Sequence, residues 1–88
     1  MRILKYPLDL RYGDLHNIIM PAGATILTVQ VQYGVLCIWA MCDDRQSSET
    51  RHIALYGTGH MIHSNPGKYI GTVQLNGGGL VLHVFDVS

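Results

Sequence analysis

Charge is what this sequence has least of. Only 14% of its 88 residues are Asp, Glu, Lys or Arg, six basic and six acidic, where a typical domain carries about 25%. A net charge of zero leaves no electrostatic footprint for duplex or single-stranded nucleic acid. Helix formers are few as well, with four Ala, one Glu and two Lys, which argues against a helical domain. Long apolar runs are missing. Residues 20–42 and 69–85 are uncharged, yet Pro, Gly, Thr, Gln, Asn or His interrupts each, so neither is the stretch of about 20 apolar residues that spans a bilayer. Cysteine is limited to Cys37 and Cys42. On one strand an offset of five puts them on opposite faces, so a disulfide between them is not expected and reduced, packed thiols are.

What the sequence does have is apolar side chains, 48% of the total, in a chain short enough for a single domain over residues 1–88. A monomer of this size buries only about 60% of its unfolded surface. High hydrophobicity with little charge therefore predicts a homo-oligomer that hides part of its surface. The opening Met1-Arg2-Ile3-Leu4-Lys5-Tyr6-Pro7 contains no apolar leader core, and a cytoplasmic location is expected.

β-branched and aromatic residues with ten Gly point to an all-β fold. Seven strands are expected, at residues 2–6, 16–20, 25–33, 35–42, 50–56, 69–75 and 80–87. Along residues 25–33, Leu27, Val29, Val31 and Tyr33 alternate with Thr28, Gln30 and Gln32, predicting one apolar and one polar face. Gly34 then permits a reversal into the fourth strand, and Asn76-Gly77-Gly78-Gly79 is a strong hairpin signal between the last two. Residues 35–42 and 80–87 are apolar on both faces, which implies cover on both, the second from a partner subunit. The architecture expected is a single-domain antiparallel β-sandwich or small barrel of six or seven strands.

The chemistry concentrates in one loop. Tyr56-Gly57-Thr58-Gly59-His60 opens a segment, residues 57–68, that is long for so small a domain, and loops of that length are often functional. Two glycines flanking Thr58 either let backbone N–H groups converge on an anion or simply allow a sharp strand exit. In the first case His60 adds a donor, Arg51 and Lys68 supply charge, and Tyr56 or Tyr69 stacks on a flat ligand. His60 and His63, with His52, His83 or Asp86, form an alternative metal set, but their spacing matches no zinc motif and no cofactor is expected. Thr58 beside His60 has no third orienting acid at a recognisable spacing, which argues against an enzyme.

The elements Lys5-Tyr6-Pro7-Leu8, Met20-Pro21-Ala22-Gly23-Ala24, Val29-Gln30-Val31-Gln32, Tyr56-Gly57-Thr58-Gly59-His60, Tyr69-Ile70-Gly71-Thr72 and Leu82-His83-Val84-Phe85 follow one another in this order. Together they resemble a group of small proteins of bacteriophages and prophages that has no assigned activity. The resemblance implies a host-cytoplasm setting, and by analogy action against host defence. That analogy allows two modes, and the residues for each are read from the chain itself. One is sequestration of a small anionic, nucleotide-like signal in an oligomer pocket by Tyr56, Gly57, Thr58, Gly59, His60, Arg51, Lys68 and Tyr69. The other is direct capture of a host defence protein through a sheet edge or the polar Thr28-Gln30-Gln32 face; a structural phage component is a third reading.

Overall fold

A computed structural model describes all residues, 1–88, and folds them into seven strands. They are β1 (Arg2–Pro7), β2 (Leu15–Pro21), β3 (Thr25–Gln32), β4 (Val35–Cys42), β5 (Ser48–Gly57), β6 (Lys68–Leu75) and β7 (Leu80–Asp86). Short 3-10 turns lie at Leu10–Tyr12 and Asn76–Gly78. One sheet has the order β1-β4-β3 and the other β2-β5-β7-β6, with every neighbouring pair antiparallel. The chain is thus an all-β domain of two antiparallel sheets, packed as a sandwich. No helix in it is long and apolar enough to cross a membrane.

The inner faces follow from alternation. β4 turns Leu36, Ile38, Ala40 and Cys42 inward against Ile53 and Leu55 of β5, Val84 and Leu82 of β7 and Met20 of β2. These and their neighbours form one cluster of 15 buried residues. His16 is the one buried polar residue, and its Nε2–H donates to the Gly13 carbonyl at 2.7 Å, so its burial leaves no group unpaired.

Two details of β3 depart from strict alternation. A bulge between Ile26 and Thr28 sets Ile26 opposite Ala40 on the inner side and leaves Leu27 unpaired and half exposed. Tyr33 is not a strand residue. With Gly34 it forms the two-residue hairpin loop into β4, both at positive φ (51° and 77°), and its side chain is 97% exposed. This is the primed-turn geometry whose twist matches that of the flanking strands.

The expected second covers of β4 and β7 come in part from within the chain. On the outer face of β4, Lys5 reaches across the strand to bond Gln32 at 2.9 Å. Its row pairs with Trp39 and that of Gln32 with Val35, so its stem passes over the intervening row Pro7–Cys37–Gln30. Cys37 is consequently only 2% exposed although it faces outward. Both cysteines are free thiols. For β7 the topology itself provides the cover. β5 and β6 are both antiparallel to β7, which lies between them, and are therefore parallel to each other. A parallel connection must return the full length of the strand. Residues 58–67 make that return along the outer face of β7, from Thr58 at His83 to Gly67 against the Asp86 backbone.

Candidate functional site

The outer face of the four-stranded sheet carries two adjacent cross-strand rows. One runs Leu15–Ala54–Phe85–Tyr69 across all four strands, the other Tyr56–His83–Thr72 across three. Phe85 of the first row packs against two tyrosines, Tyr69 beside it in the same row and Tyr56 of the second. Its ring centroid lies 5.7 Å from that of Tyr56, edge-on at 74°, and 5.4 Å from that of Tyr69, tilted at 60°. Such pairs add about 0.5–1.5 kcal/mol each beyond burial and hold the rings in fixed orientation.

The second row is polar and continuous. Thr58 Oγ1 lies 2.7 Å from His83 Nε2, Thr72 Oγ1 lies 2.9 Å from His83 Nδ1, and Tyr69 Oη lies 2.6 Å from Thr72 Oγ1. Both ring nitrogens of His83 are engaged by hydroxyls, and the chain of contacts ties the returning loop to the sheet.

The loop leaves β5 through a tight turn. The His60 N–H donates to the Gly57 carbonyl at 3.1 Å, and Gly59 occupies the third position at φ 84°, as a type II turn requires. The turn consumes the His60 N–H internally, so this group is not among donors available to an anion. The His60 imidazole lies against Gly57, where an added Cβ would sit 2.7 Å from its Cε1. Gly57 is small because His60 packs on it.

Between these parts lies an open cavity of about 360 Å³. Its walls are Tyr56, Phe85 and Tyr69, its polar side is Thr72, His83 and Thr58, and Gly59, His60 and Ile62 of the loop form the rim. The volume falls in the range of small-molecule sites, about 300–1,000 Å³, and the mix of aromatic walls with a few convergent polar groups is characteristic of them. Across the Gly57–His60 turn lies a second open cavity of about 460 Å³, floored by Leu10, Leu55, Leu80 and Leu82, with Asp14 at its edge.

Of the eight residues singled out in the sequence, the structure gathers Tyr56, Gly57, Thr58, Gly59, His60 and Tyr69 at the first cavity. Arg51 and Lys68 are not with them. They line a separate cavity of about 370 Å³ at the far end of β5, on the other side of Tyr69. There Arg51 Nη2 donates to Asp86 Oδ2 at 2.6 Å and Nη1 to the Ala24 carbonyl at 2.7 Å, so its charge is used within the fold. Burial works against the Asp86 carboxylate, but hydrogen bonds from the Ser88 N–H and from Arg51 outweigh it and hold its pKa below the ordinary value.

His83, Thr72 and Phe85 belong to the site although the sequence did not single them out for it. Thr58 pairs with His83 rather than with His60. The alternative metal set does not assemble: His60 and His83 share the cavity, but His52 bonds Asn17 at 2.7 Å elsewhere, and no three His, Cys, Asp or Glu side chains come together in a way that could hold a metal ion.

A family model described as a domain of unknown function, DUF7352, matches residues 1–88. The chain belongs to the DUF7352 family. No curated protein and no solved structure matches it.

Proposed function

We propose that this DUF7352 domain is a non-enzymatic binding protein that holds a small anionic, nucleotide-like molecule in the cavity under residues 58–67. The observation that carries the reading is the juxtaposition of three aromatic rings with the Thr58–His83–Thr72–Tyr69 chain of hydrogen bonds. A planar base stacks on the rings, worth about 1–3 kcal/mol per base, while the hydroxyls and imidazoles meet its polar substituents. Thr58 and His83 stand as a hydroxyl–imidazole pair, but a second hydroxyl, Thr72, occupies the position behind the histidine where an orienting carboxylate would stand. That arrangement favours binding over acyl transfer. In the setting implied by the phage resemblance, the role is sequestration of a host immune signal in the bacterial cytoplasm, by an oligomer of this chain.

A thermal-shift screen over cyclic nucleotides and ADP-ribose derivatives tests the proposal. A ligand-dependent rise in melting temperature, lost in a Phe85→Ala, Tyr69→Ala double variant, is expected. No rise with any of these compounds would remove its main support.

A second reading draws on the other sheet, where Ile3, Leu27 and Val35 are exposed beside Gln30 and Gln32. This is a surface for a host defence protein, and it predicts that Gln30→Glu abolishes capture of that protein while Tyr69→Ala does not.

A further inference from the structure

We propose that His83, rather than Arg51 or Lys68, meets the ligand's negative charge, and that it takes up a proton when the ligand binds. The inference rests on the reading of the cavity under residues 58–67 as a ligand site. It starts from a mismatch: an anionic ligand needs positive charge, and no Arg or Lys lines this cavity. Arg51 is committed to Asp86, and Lys68 pairs in register with Asp86 at the far end of the sheet. What faces the cavity is Tyr56 from β5, Thr58 and His60 from the loop, Tyr69 and Thr72 from β6, and His83 with Phe85 from β7. No carboxylate is among them to compete with an anion. Histidine is the side chain whose charge changes between pH 5 and 8.

The hydrogen-bond geometry makes the charged form of His83 unusually easy to house. A neutral imidazole has one donor and one acceptor nitrogen, so one of the two hydroxyls facing it must donate to the ring. An imidazolium has two donors, and both Thr58 Oγ1 and Thr72 Oγ1 are able to accept, so protonation breaks neither contact. It also frees one hydroxyl proton. If Thr58 was the donor, its proton now turns to the cavity directly. If Thr72 was the donor, its proton passes to the Tyr69 oxygen 2.6 Å away, and the Tyr69 O–H turns outward instead. In either tautomer the cavity gains one positive charge and one O–H donor, and an anion uses both. A neutral ligand gains nothing from the change.

Isothermal titration of the full chain with cyclic AMP and with adenosine tests this between pH 7.5 and 5.5. The phosphodiester of the first carries a fixed charge through that range, and the second is its neutral counterpart. Affinity for cyclic AMP is expected to rise as pH falls, by up to about tenfold per pH unit for one proton, with adenosine flat. Repeating the titration in buffers of different ionisation heat counts the protons absorbed on binding, with about one expected for the wild-type chain. His83→Asn abolishes the pH dependence, and His52→Gln, at a histidine outside the cavity that bonds Asn17, keeps it. A pH-independent affinity for cyclic AMP, or a dependence that survives His83→Asn, overturns the inference while the ligand site stands. Binding of neither compound at any pH overturns the reading of the cavity and the inference with it.

Discussion

The Arg51–Asp86 pair joins β5 to β7 and, through the Ala24 carbonyl, to the turn between β2 and β3. Both side chains are largely withdrawn from solvent, 15% and 12% exposed, so breaking the pair strands a charge that water cannot fully rescue. Asp86→Asn is expected to cost about 2–3 kcal/mol at pH 7, read from denaturant unfolding. The pH dependence has a definite sign. A carboxyl whose pKa is lowered on folding adds stability at pH values above its unfolded pKa, near 3.9, and loses that contribution as pH falls through the folded value. The wild-type chain should therefore lose stability relative to the Asn variant below about pH 4, and parallel acid-unfolding curves would contradict this. Gly67 makes a sharper case. An added Cβ there meets the Asp86 carbonyl oxygen at a distance no real contact shows, and φ is 91°. Gly67→Ala should cost well over 1 kcal/mol, whereas Gly57→Ala meets only the movable end of His60 and should cost less than that. Melting temperatures of the two variants decide it, and equal shifts would contradict the account.

The return segment, residues 58–67, is the element on which the site depends. Between Met61 and Pro66 it makes no backbone hydrogen bond to any other element, and the Thr58–His83 contact is its polar tether to the sheet. Thr58→Val should speed proteolytic cleavage within the segment several-fold while the global unfolding free energy moves by less than about 0.5 kcal/mol. Unchanged cleavage would show that the tether is idle. Much of this element was legible in the sequence: its length, its Gly57-Thr58-Gly59 entry and the alternation that puts His83 and Phe85 on one face of β7. The position of β7 between β5 and β6 was not. Strand order depends on contacts far apart in sequence, and only that order brings Thr72 and Tyr69 of β6 to His83. Arg51, whose charge and nearness in sequence suggested a ligand contact, is a different case, because the strand's own alternation already turns it away. It sits five positions before Tyr56, an odd offset that turns it to the inner face. The bulge at Leu27 and the turn at Tyr33 likewise break an alternation that reads cleanly along residues 25–33.

At the scale of the whole molecule, the low charge and the apolar excess divide between the two outer faces. One is crossed by the chain's own return segment. The other, on β1-β4-β3, keeps Ile3, Leu27 and Val35 exposed and bears Lys5 as its charged residue. Under the proposed self-association, native mass spectrometry should find an oligomer that Ile3→Lys with Val35→Lys reduces to monomer, and a monomeric wild-type chain would contradict that part of the proposal. The central claim, that the cavity under residues 58–67 is a ligand site, is tested most directly by nitrogen-15 NMR of the full chain titrated with cyclic AMP. The account predicts saturable shifts concentrated at Tyr56, Thr58, His60, Tyr69, Thr72 and His83. Shifts scattered over the surface, or confined to the β1-β4-β3 face, would contradict it.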